Sequence, residues 1–158
     1  MRQLGFPEVR CKAKEKNERF PNVPEISLEE MDIGPLIGHG QFSDVFECTL
    51  PVTGRCAFKQ LRGATREDVL KEAAAMWEVR NCGFVLQLHK VCVGDAQGNR
   101  IGLVVEFMDG GSLSNRLQKQ NRALSKNECF RIMSDLLRGL EAIHESKHVH
   151  LDVKSDNI

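Results

Sequence analysis

The sequence lacks the features that would point to a nucleic-acid or membrane partner. Its 22 Lys and Arg residues balance 22 Asp and Glu residues, so the bulk charge favours neither kind of partner. No apolar run approaches the length of a membrane span. The first 20 residues contain no apolar stretch of the kind that a secretory signal needs. We therefore expect no nucleic-acid partner, no membrane partner and a cytoplasmic location.

Paired metal-binding or disulfide motifs are also absent. The six cysteines are scattered and form no Cys-x-x-Cys pair, which favours reduced, mostly buried thiols over a disulfide or zinc framework. Three histidines cluster near the end of the chain, at His144, His148 and His150. No further ligand lies near them at zinc-like spacing, so the cluster does not predict a zinc site.

The chain has 158 residues, enough for one domain with a core. Residues 1–27 are polar and contain prolines, so we predict a disordered N-terminal tail. A basic stretch over residues 10–16 leaves two interpretations open, a docking peptide or a solvated arm. Residues 28–158 carry the pattern of a folded domain.

Apolar and turn residues in that domain predict strands followed by helices. Strands are predicted over 32–37, 44–50 and 56–61, and a helix begins at Thr65. Two more strands follow over 85–93 and 101–107, and a capping box at Ser125 opens a long helix that ends near Lys147. Its predicted buried stripe is Cys129, Ile132, Met133, Leu136, Leu137, Leu140 and Ile143. This order predicts an α+β fold, in which a five-stranded antiparallel sheet with one helix joins the start of a mainly helical lobe.

A glycine-rich turn lies between the first two predicted strands. Gly38 and Gly40 allow the backbone to approach an anion closely. No Gly-Lys-Ser/Thr follows, and the next element is a strand, so neither a Walker loop nor a dinucleotide fingerprint fits. Taken alone, the turn is equally well explained as a simple hairpin connection.

Lys59 and Glu72 form a possible ion pair. Lys59 lies among apolar residues on the third strand, and Glu72 flanks the apolar stripe of the following helix. A carboxylate there can point back at the sheet and orient the ammonium toward phosphates held by the glycine turn. Each residue alone is also compatible with an ordinary surface position.

Together these segments resemble a known family. Gly38 to Val45, Ala57-x-Lys59, Glu72 and the closing run His150 to Asn157 resemble the ordered signatures of eukaryotic protein kinases. The resemblance implies an N-lobe over 28–106, a hinge over 107–112 and the start of a C-lobe over 113–158. Short passages are similar to MAP kinase kinases and to p21-activated kinases.

The resemblance implies ATP and Mg²⁺ as cofactors. The backbone of Glu106 and Met108 would hold the adenine edge, and Lys59 would hold the α- and β-phosphates. Ten residues would bind the nucleotide: Ile37, Gly38, Gly40, Val45, Ala57, Lys59, Glu72, Val105, Glu106 and Met108. Among these, Val105 would be the gatekeeper.

The same resemblance implies a catalytic loop. Asp152 would orient the substrate hydroxyl, Lys154 would neutralise the transferring phosphoryl, and Asn157 would bind Mg²⁺. His150 would be structural, and a lysine two residues after the aspartate is typical of Ser/Thr kinases. We therefore predict an ATP-dependent Ser/Thr protein kinase, with dual specificity left open. Its partners would be a protein substrate and an upstream kinase or scaffold. The alternative is a non-catalytic, kinase-like nucleotide-binding or regulatory module.

The chain departs from the family pattern in two ways. Leu151 replaces the usual arginine before the catalytic aspartate, which puts activation through a phosphorylated loop in doubt. The sequence also ends at Ile158, before the family's Asp-Phe-Gly segment. We expect this chain alone not to phosphorylate a protein, and its long helix to expose apolar side chains.

Overall fold

The computed structural model describes residues 23–95, 98–120 and 122–158. The strands are β1 (Glu25–Ile26), β2 (Asp32–His39), β3 (Ser43–Leu50), β4 (Gly54–Leu61), β5 (Leu88–Cys92) and β6 (Gly102–Glu106). The helices are α1 (Arg66–Glu78), α2 (Leu113–Gln120) and α3 (Lys126–Glu145), with short 3-10 turns at Leu28–Glu30 and Ser155–Asn157. No helix in these ranges combines the length and the hydropathy that a membrane span requires.

One sheet carries all six of these strands in the order β1-β5-β6-β4-β3-β2. The five predicted antiparallel strands are present, and β1 adds a short strand that pairs in parallel with β5. The mixed sheet followed by helices confirms the predicted α+β fold.

The prediction of a disordered tail through residue 27 does not fit residues 23–27. Val23 and Ile26 are buried, and the backbone amides of Val91 and Val93 donate to Pro24 O at 2.8 Å and Ile26 O at 3.1 Å. A two-residue strand is too short to show alternation in a sequence, and its partner lies more than 60 residues away. The basic stretch over residues 10–16 falls outside the described residues.

Alternation along the strands divides the core into two clusters on opposite faces of the sheet. On β4, Ala57 belongs to the cluster that includes buried residues of α1, whereas Cys56 and Phe58 belong to the other. The same alternation separates Val105 from Val104 on β6. Lys59 is two residues from Ala57 on β4, so its side chain lies on the same face of the sheet, which α1 covers.

Capping boxes begin both α1 and α3, as the sequence predicts. Thr65 Oγ1 accepts from the Asp68 amide at 3.2 Å, and the Thr65 amide donates to Asp68 Oδ2 at 2.9 Å. Ser125 and Glu128 make the equivalent pair of bonds. Each cap satisfies helix amides that have no partner within the helix and contributes about 1 kcal/mol. The first cap fixes where α1 starts, and so where Glu72 falls.

The predicted burial of the α3 stripe is correct at Ile143 and wrong at its exposed members, whereas the expectation that this helix exposes apolar side chains is confirmed. Ile143 is buried, but Cys129 is exposed, and Met133 and Leu137 are 52 % and 60 % exposed. Helix α3 meets the sheet lobe near its C-terminal end, where a Cβ on Gly139 would come within 2.7 Å of a backbone carbonyl. The periodicity correctly marks the apolar face but does not show which part of it is covered.

Candidate active site

The Lys59 ammonium is held in the partly enclosed space between the sheet and α1. Its Nζ lies 2.7 Å from Glu72 Oε1, and Lys59 is only 7 % exposed. Glu72 is next to buried Ala73 and one turn from buried Val69, so its carboxylate leaves the helix beside the core. The structure thus brings together the two residues whose pairing the sequence suggests, with a cation fixed in a poorly solvated position.

Gly102 permits the backbone geometry around Lys59, and the sequence reasoning missed it. Strand β6 runs beside β4 with Gly102 opposite Gln60 and Leu103 opposite Lys59. A Cβ at Gly102 would meet the Lys59 carbonyl oxygen at 2.1 Å, so a side chain there would force the two strands apart. The residue has no local sequence signature because the approach is between distant segments.

The glycine-rich turn connects β2 and β3. The Gly40 amide donates to the Ser43 carbonyl at 2.8 Å, and Gly38 pairs with Val45 where the strands meet. The Arg62 side chain, from the end of β4, donates to the carbonyls of Gly40 and Gln41. Arg62 therefore ties the tip of the turn to the sheet, a role that no local pattern signals.

The residues predicted to surround an adenine ring lie on adjacent strands. Ala57 is opposite Val105 in the β4–β6 register, and both are almost fully buried. They share a core cluster with Val45, and Ile37 packs against that cluster. Of these residues, Val45 lines the cavity described below, and Ala57 and Val105 lie behind it in the core.

A cavity of about 350 Å³ lies between the sheet and the C-terminal segment. Gly38, Val45, Glu106 and Met108 contribute to its walls from the sheet side, and Asn157 contributes from the other side. This volume is within the range of small-molecule and cofactor sites. The cavity therefore joins predicted nucleotide-binding residues to the predicted metal ligand.

The hinge after β6 is fixed by contacts that the sequence did not reveal. The Arg55 guanidinium lies 3.6 Å from the centroid of the Phe107 ring and donates to Asp109 Oδ1 at 2.6 Å and Glu47 Oε1 at 2.8 Å. The Met108 carbonyl accepts from the Gly111 amide at 3.2 Å. Arg55 thus connects β3 and β4 to the segment that carries Met108.

Asp152 is the centre of a second polar cluster. Its Oδ2 is 2.5 Å from Lys154 Nζ, and Asn157 Nδ2 donates to the same oxygen at 3.1 Å and to the Asp152 carbonyl at 2.8 Å. The hydrogen bond from Lys154 lowers the pKa of Asp152 below its ordinary value, helped by Asn157 and opposed by partial burial. Asp152 is therefore a carboxylate at neutral pH and can accept a proton or hydrogen bond.

His150 shapes the backbone of this loop. Its Nδ1 lies 3.3 Å from the Asp152 amide, an arrangement in which that nitrogen is an acceptor. Burial lowers the pKa of His150, so the ring is neutral at physiological pH. A neutral ring that receives a backbone N–H agrees with the structural role expected from the sequence.

Asn157 carries an unused acceptor at the edge of the cavity. Its Oδ1 is buried and, within the part of the chain that the structure describes, has no hydrogen-bond partner. A buried unpaired oxygen is costly in a folded protein, and amide oxygens are hard ligands that suit Mg²⁺. In the described ranges, no group of three or more His, Cys, Asp or Glu side chains is placed to hold a metal ion. Within the described residues, Asn157 therefore offers a buried amide oxygen whose chemistry fits a cation.

Comparison with known proteins agrees with this arrangement. The family model described as "Protein kinase domain" matches residues 31–158, most of the chain. Human death-associated protein kinase 2 is 30 % identical over 156 residues, which cover 89 % of this chain and 40 % of that protein. The serine/threonine-protein kinase dst4 of Dictyostelium discoideum is 25 % identical, over 90 % of this chain and 29 % of its own length.

Smooth-muscle myosin light chain kinase from Gallus gallus is 29 % identical over 87 % of this chain and 7 % of its own. The chain thus spans less than half the length of these relatives. These matches do not specifically indicate MAP kinase kinases or p21-activated kinases, so that finer resemblance stays a prediction. The family match, together with the two polar clusters and the cavity, shows that this chain belongs to the protein kinase domain family.

Proposed function

We propose that the protein transfers the γ-phosphoryl group of ATP to serine or threonine hydroxyls of a protein substrate. One observation carries the proposal. The chain has both a partly buried Lys59–Glu72 pair and an Asp152–Lys154–Asn157 cluster. Asn157 and the glycine-rich strand pair also line a cavity of about 350 Å³. Phosphoryl transfer depends mainly on positioning and charge stabilisation, and these clusters provide both.

The nucleotide would bind with its phosphates near Lys59. Glu72 keeps the Lys59 ammonium oriented, so little reorganisation is needed when an anion arrives. Because Gly38 and Gly40 have no side chains, the turn between β2 and β3 would be able to approach the phosphate oxygens closely. The cavity wall that contains Val45 would face the adenine ring. The polar edge of the ring would meet the backbone near Met108.

Asn157 would hold Mg²⁺ through its buried Oδ1. When bound, the metal ion neutralises charge on the phosphates. The nitrogen of the same amide is used within the protein, since Asn157 Nδ2 donates twice to Asp152. One side chain would therefore link the metal position to the position of the catalytic carboxylate.

Asp152 would accept a hydrogen bond from the substrate hydroxyl and take its proton as the new O–P bond forms, while the bond from the γ-phosphorus to the β,γ-bridging oxygen breaks and ADP leaves. Its lowered pKa keeps it ionised, and Asn157 holds its orientation. Lys154, whose ammonium is 2.5 Å from Asp152, places positive charge where the transferred phosphoryl would pass. Lys154 and Asn157 hold this carboxylate in one orientation, which supports Asp152 as the group that receives the hydroxyl proton.

Leu151 bears on activation. The side chain is 57 % exposed and cannot donate hydrogen bonds to a phosphate. We therefore infer that a phosphorylated activation segment does not dock at this position. An upstream kinase or a scaffold would have to act elsewhere on the protein.

Radiolabel transfer from [γ-³²P]ATP to casein and myelin basic protein tests the proposal, using the full-length protein that carries these residues. We expect label on phosphoserine and phosphothreonine, and a loss of at least about 100-fold in Asp152→Asn because the base is removed. Glu145→Gln, an exposed substitution at the end of α3, is the matched control and should keep full activity. Transfer that survives in Asp152→Asn would contradict the assignment of the base.

The second candidate is a regulatory module that binds nucleotide without catalysis. Leu151 is the observation that favours it, because it removes a family feature tied to activation. The same assay separates the two functions. Nucleotide binding with no label transfer, in wild type and Asp152→Asn alike, would support the regulatory module and overturn the kinase.

A further inference from the structure

Residues 23–26, which we call the edge segment, extend the sheet beside β5. Their backbone carbonyls accept hydrogen bonds from Val91 and Val93, and Glu25 and Ile26 form β1. Backbone pairing of this kind is independent of side chains and fixes where the segment lies. Its side chains are therefore presented at defined positions to the two faces of the sheet.

Two side chains of the edge segment are directed to the helix that carries Glu72. Val23 is 8 % exposed and belongs to the core cluster that also contains Val69 of α1. Arg66, the first residue of α1, donates through Nη2 to both carboxylate oxygens of Glu25, at 2.8 and 2.9 Å. The start of α1 is thus attached to the edge segment by an ion pair, and the segment and the helix contribute to the same core cluster.

Ile26 of the same segment lies on the other face. It is 4 % exposed and belongs to the cluster that contains Phe58 and Val104 but no residue of α1. The two residues are therefore matched in burial, yet of the two only Val23 shares a core cluster with the helix.

Arg66 and Glu72 are six residues apart on one helix, a rise of about 9 Å. A rigid helix transmits a shift at its first turn to a residue at that distance. The capping box at Thr65 stiffens the same turn. Loosening the attachment of Arg66 would therefore change how closely the Glu72 carboxylate approaches Lys59.

We propose that the edge segment is a positioning element for the phosphate site, in which Val23 and Glu25 hold α1 so that Glu72 stays on Lys59. Its effect on nucleotide binding rests on the proposed function. Its effect on Lys59 does not, because the ion pair is formed by side chains of this chain alone.

The first test measures the acylation rate of Lys59 by sulfosuccinimidyl acetate, followed by peptide mass spectrometry of residues 1–158. The buried, paired amine of the wild type should react slowly. We expect Val23→Ala to raise the rate about 3- to 10-fold, through loss of buried packing. Ile26→Ala should lower the melting temperature comparably and leave the Lys59 rate near that of the wild type.

Charge reversal tests the ion pair between Glu25 and Arg66. Both side chains are largely exposed, so Glu25→Arg should raise the Lys59 rate by no more than about 5-fold. The double variant Glu25→Arg/Arg66→Glu restores opposite charges and should return the rate to the wild-type value. A role confined to general stability would not produce this rescue.

The second test compares the affinities for ATP and adenosine. Val23→Ala should lower the ratio of ATP to adenosine affinity about 3- to 10-fold, because only ATP uses Lys59, whereas Ile26→Ala should not. If Val23→Ala and Ile26→Ala raise Lys59 acylation equally, or the charge reversal fails to restore it, the positioning role is overturned. If wild type does not prefer ATP to adenosine, the proposed function fails and the acylation data still decide the role of the edge segment. If Val23→Ala does not fold, the Lys59 acylation rates of Glu25→Arg and of Glu25→Arg/Arg66→Glu decide whether the edge segment positions α1.

Discussion

The Lys59–Glu72 contact gives the most direct prediction about the energetics of the site. The substitution Glu72→Gln keeps the shape of the side chain but leaves the Lys59 ammonium, which is 7 % exposed, facing a neutral amide. Complete loss of a partner from a fully buried ion pair costs about 3–5 kcal/mol. The Glu72 side chain is 19 % exposed and glutamine still accepts a hydrogen bond, so we expect a loss of about 2 kcal/mol in the free energy of unfolding.

A urea denaturation followed by far-UV circular dichroism at neutral pH measures this loss. A double-mutant cycle with Lys59→Met isolates the contribution of the pair, because the double variant leaves no charge uncompensated. The matched control is Glu67→Gln on the same helix, since Glu67 pairs with Lys71 at 2.7 Å in an exposed position. That control should cost no more than about 0.5 kcal/mol.

Two results would refute this reasoning. A coupling energy between Lys59 and Glu72 below about 0.5 kcal/mol would mean that the pair is solvated and interacts weakly. An equal cost for Glu67→Gln would mean that charge loss on α1, rather than the specific contact, determines stability.

Two further predictions concern the surroundings of the site. Gly102→Ala should lower the free energy of unfolding, measured by urea denaturation, by about 1–3 kcal/mol, because its Cβ would overlap the Lys59 carbonyl. Gly83→Ala, where a Cβ meets nothing within 4 Å, should be near neutral. Equal costs for the two variants would contradict the strand-spacing argument. Lys154→Met should raise the pKa of Asp152 toward its ordinary value of 3.8, as measured by carboxyl ¹³C NMR. Because the pKa of Asp152 is lowered in the folded protein, the stabilisation from its contact with Lys154 is present above pH 3.8 and is lost as the pH falls through the folded pKa. An unchanged pKa of Asp152 in Lys154→Met would show that Lys154 does not cause the shift.

The parts of the site that could be predicted from sequence are those fixed by short-range spacing. The capping residue Thr65 determines where α1 begins, and helical periodicity then places Glu72 beside the buried stripe. The alternation of β4 places Lys59 on the face that the helix covers. Asp152 and Asn157 are close in sequence, so their contact depends only on a local turn.

The parts that sequence reasoning missed depend on approaches between distant segments. Nothing near Gly102 signals that the Lys59 backbone will lie against it. Arg55 contacts the Phe107 ring across the sheet and hinge, although arginine on a strand is usually an ordinary surface residue. Val23 falls within the predicted tail because a two-residue strand produces no periodicity.

The apolar face of α3 shows a different limit. Periodicity identifies the side chains that can be buried, including Met133 and Leu137, but burial also requires another segment to pack on them. Both side chains are more than half exposed, whereas Ile143 at the other end is covered by the loop around Val85. Local pattern therefore predicts the character of a face and not its neighbours.

The central claim is that the cavity binds ATP with its phosphates at Lys59 and its metal ion at Asn157. Isothermal titration of residues 1–158 with ATP, in the presence and absence of Mg²⁺, tests it most directly when wild type, Lys59→Met and Asn157→Ala are compared. The account predicts that Mg²⁺ strengthens binding to wild type, that Lys59→Met weakens binding in both conditions, and that Asn157→Ala loses the Mg²⁺ enhancement. Equal affinities in all three proteins, with no effect of Mg²⁺, would contradict the account.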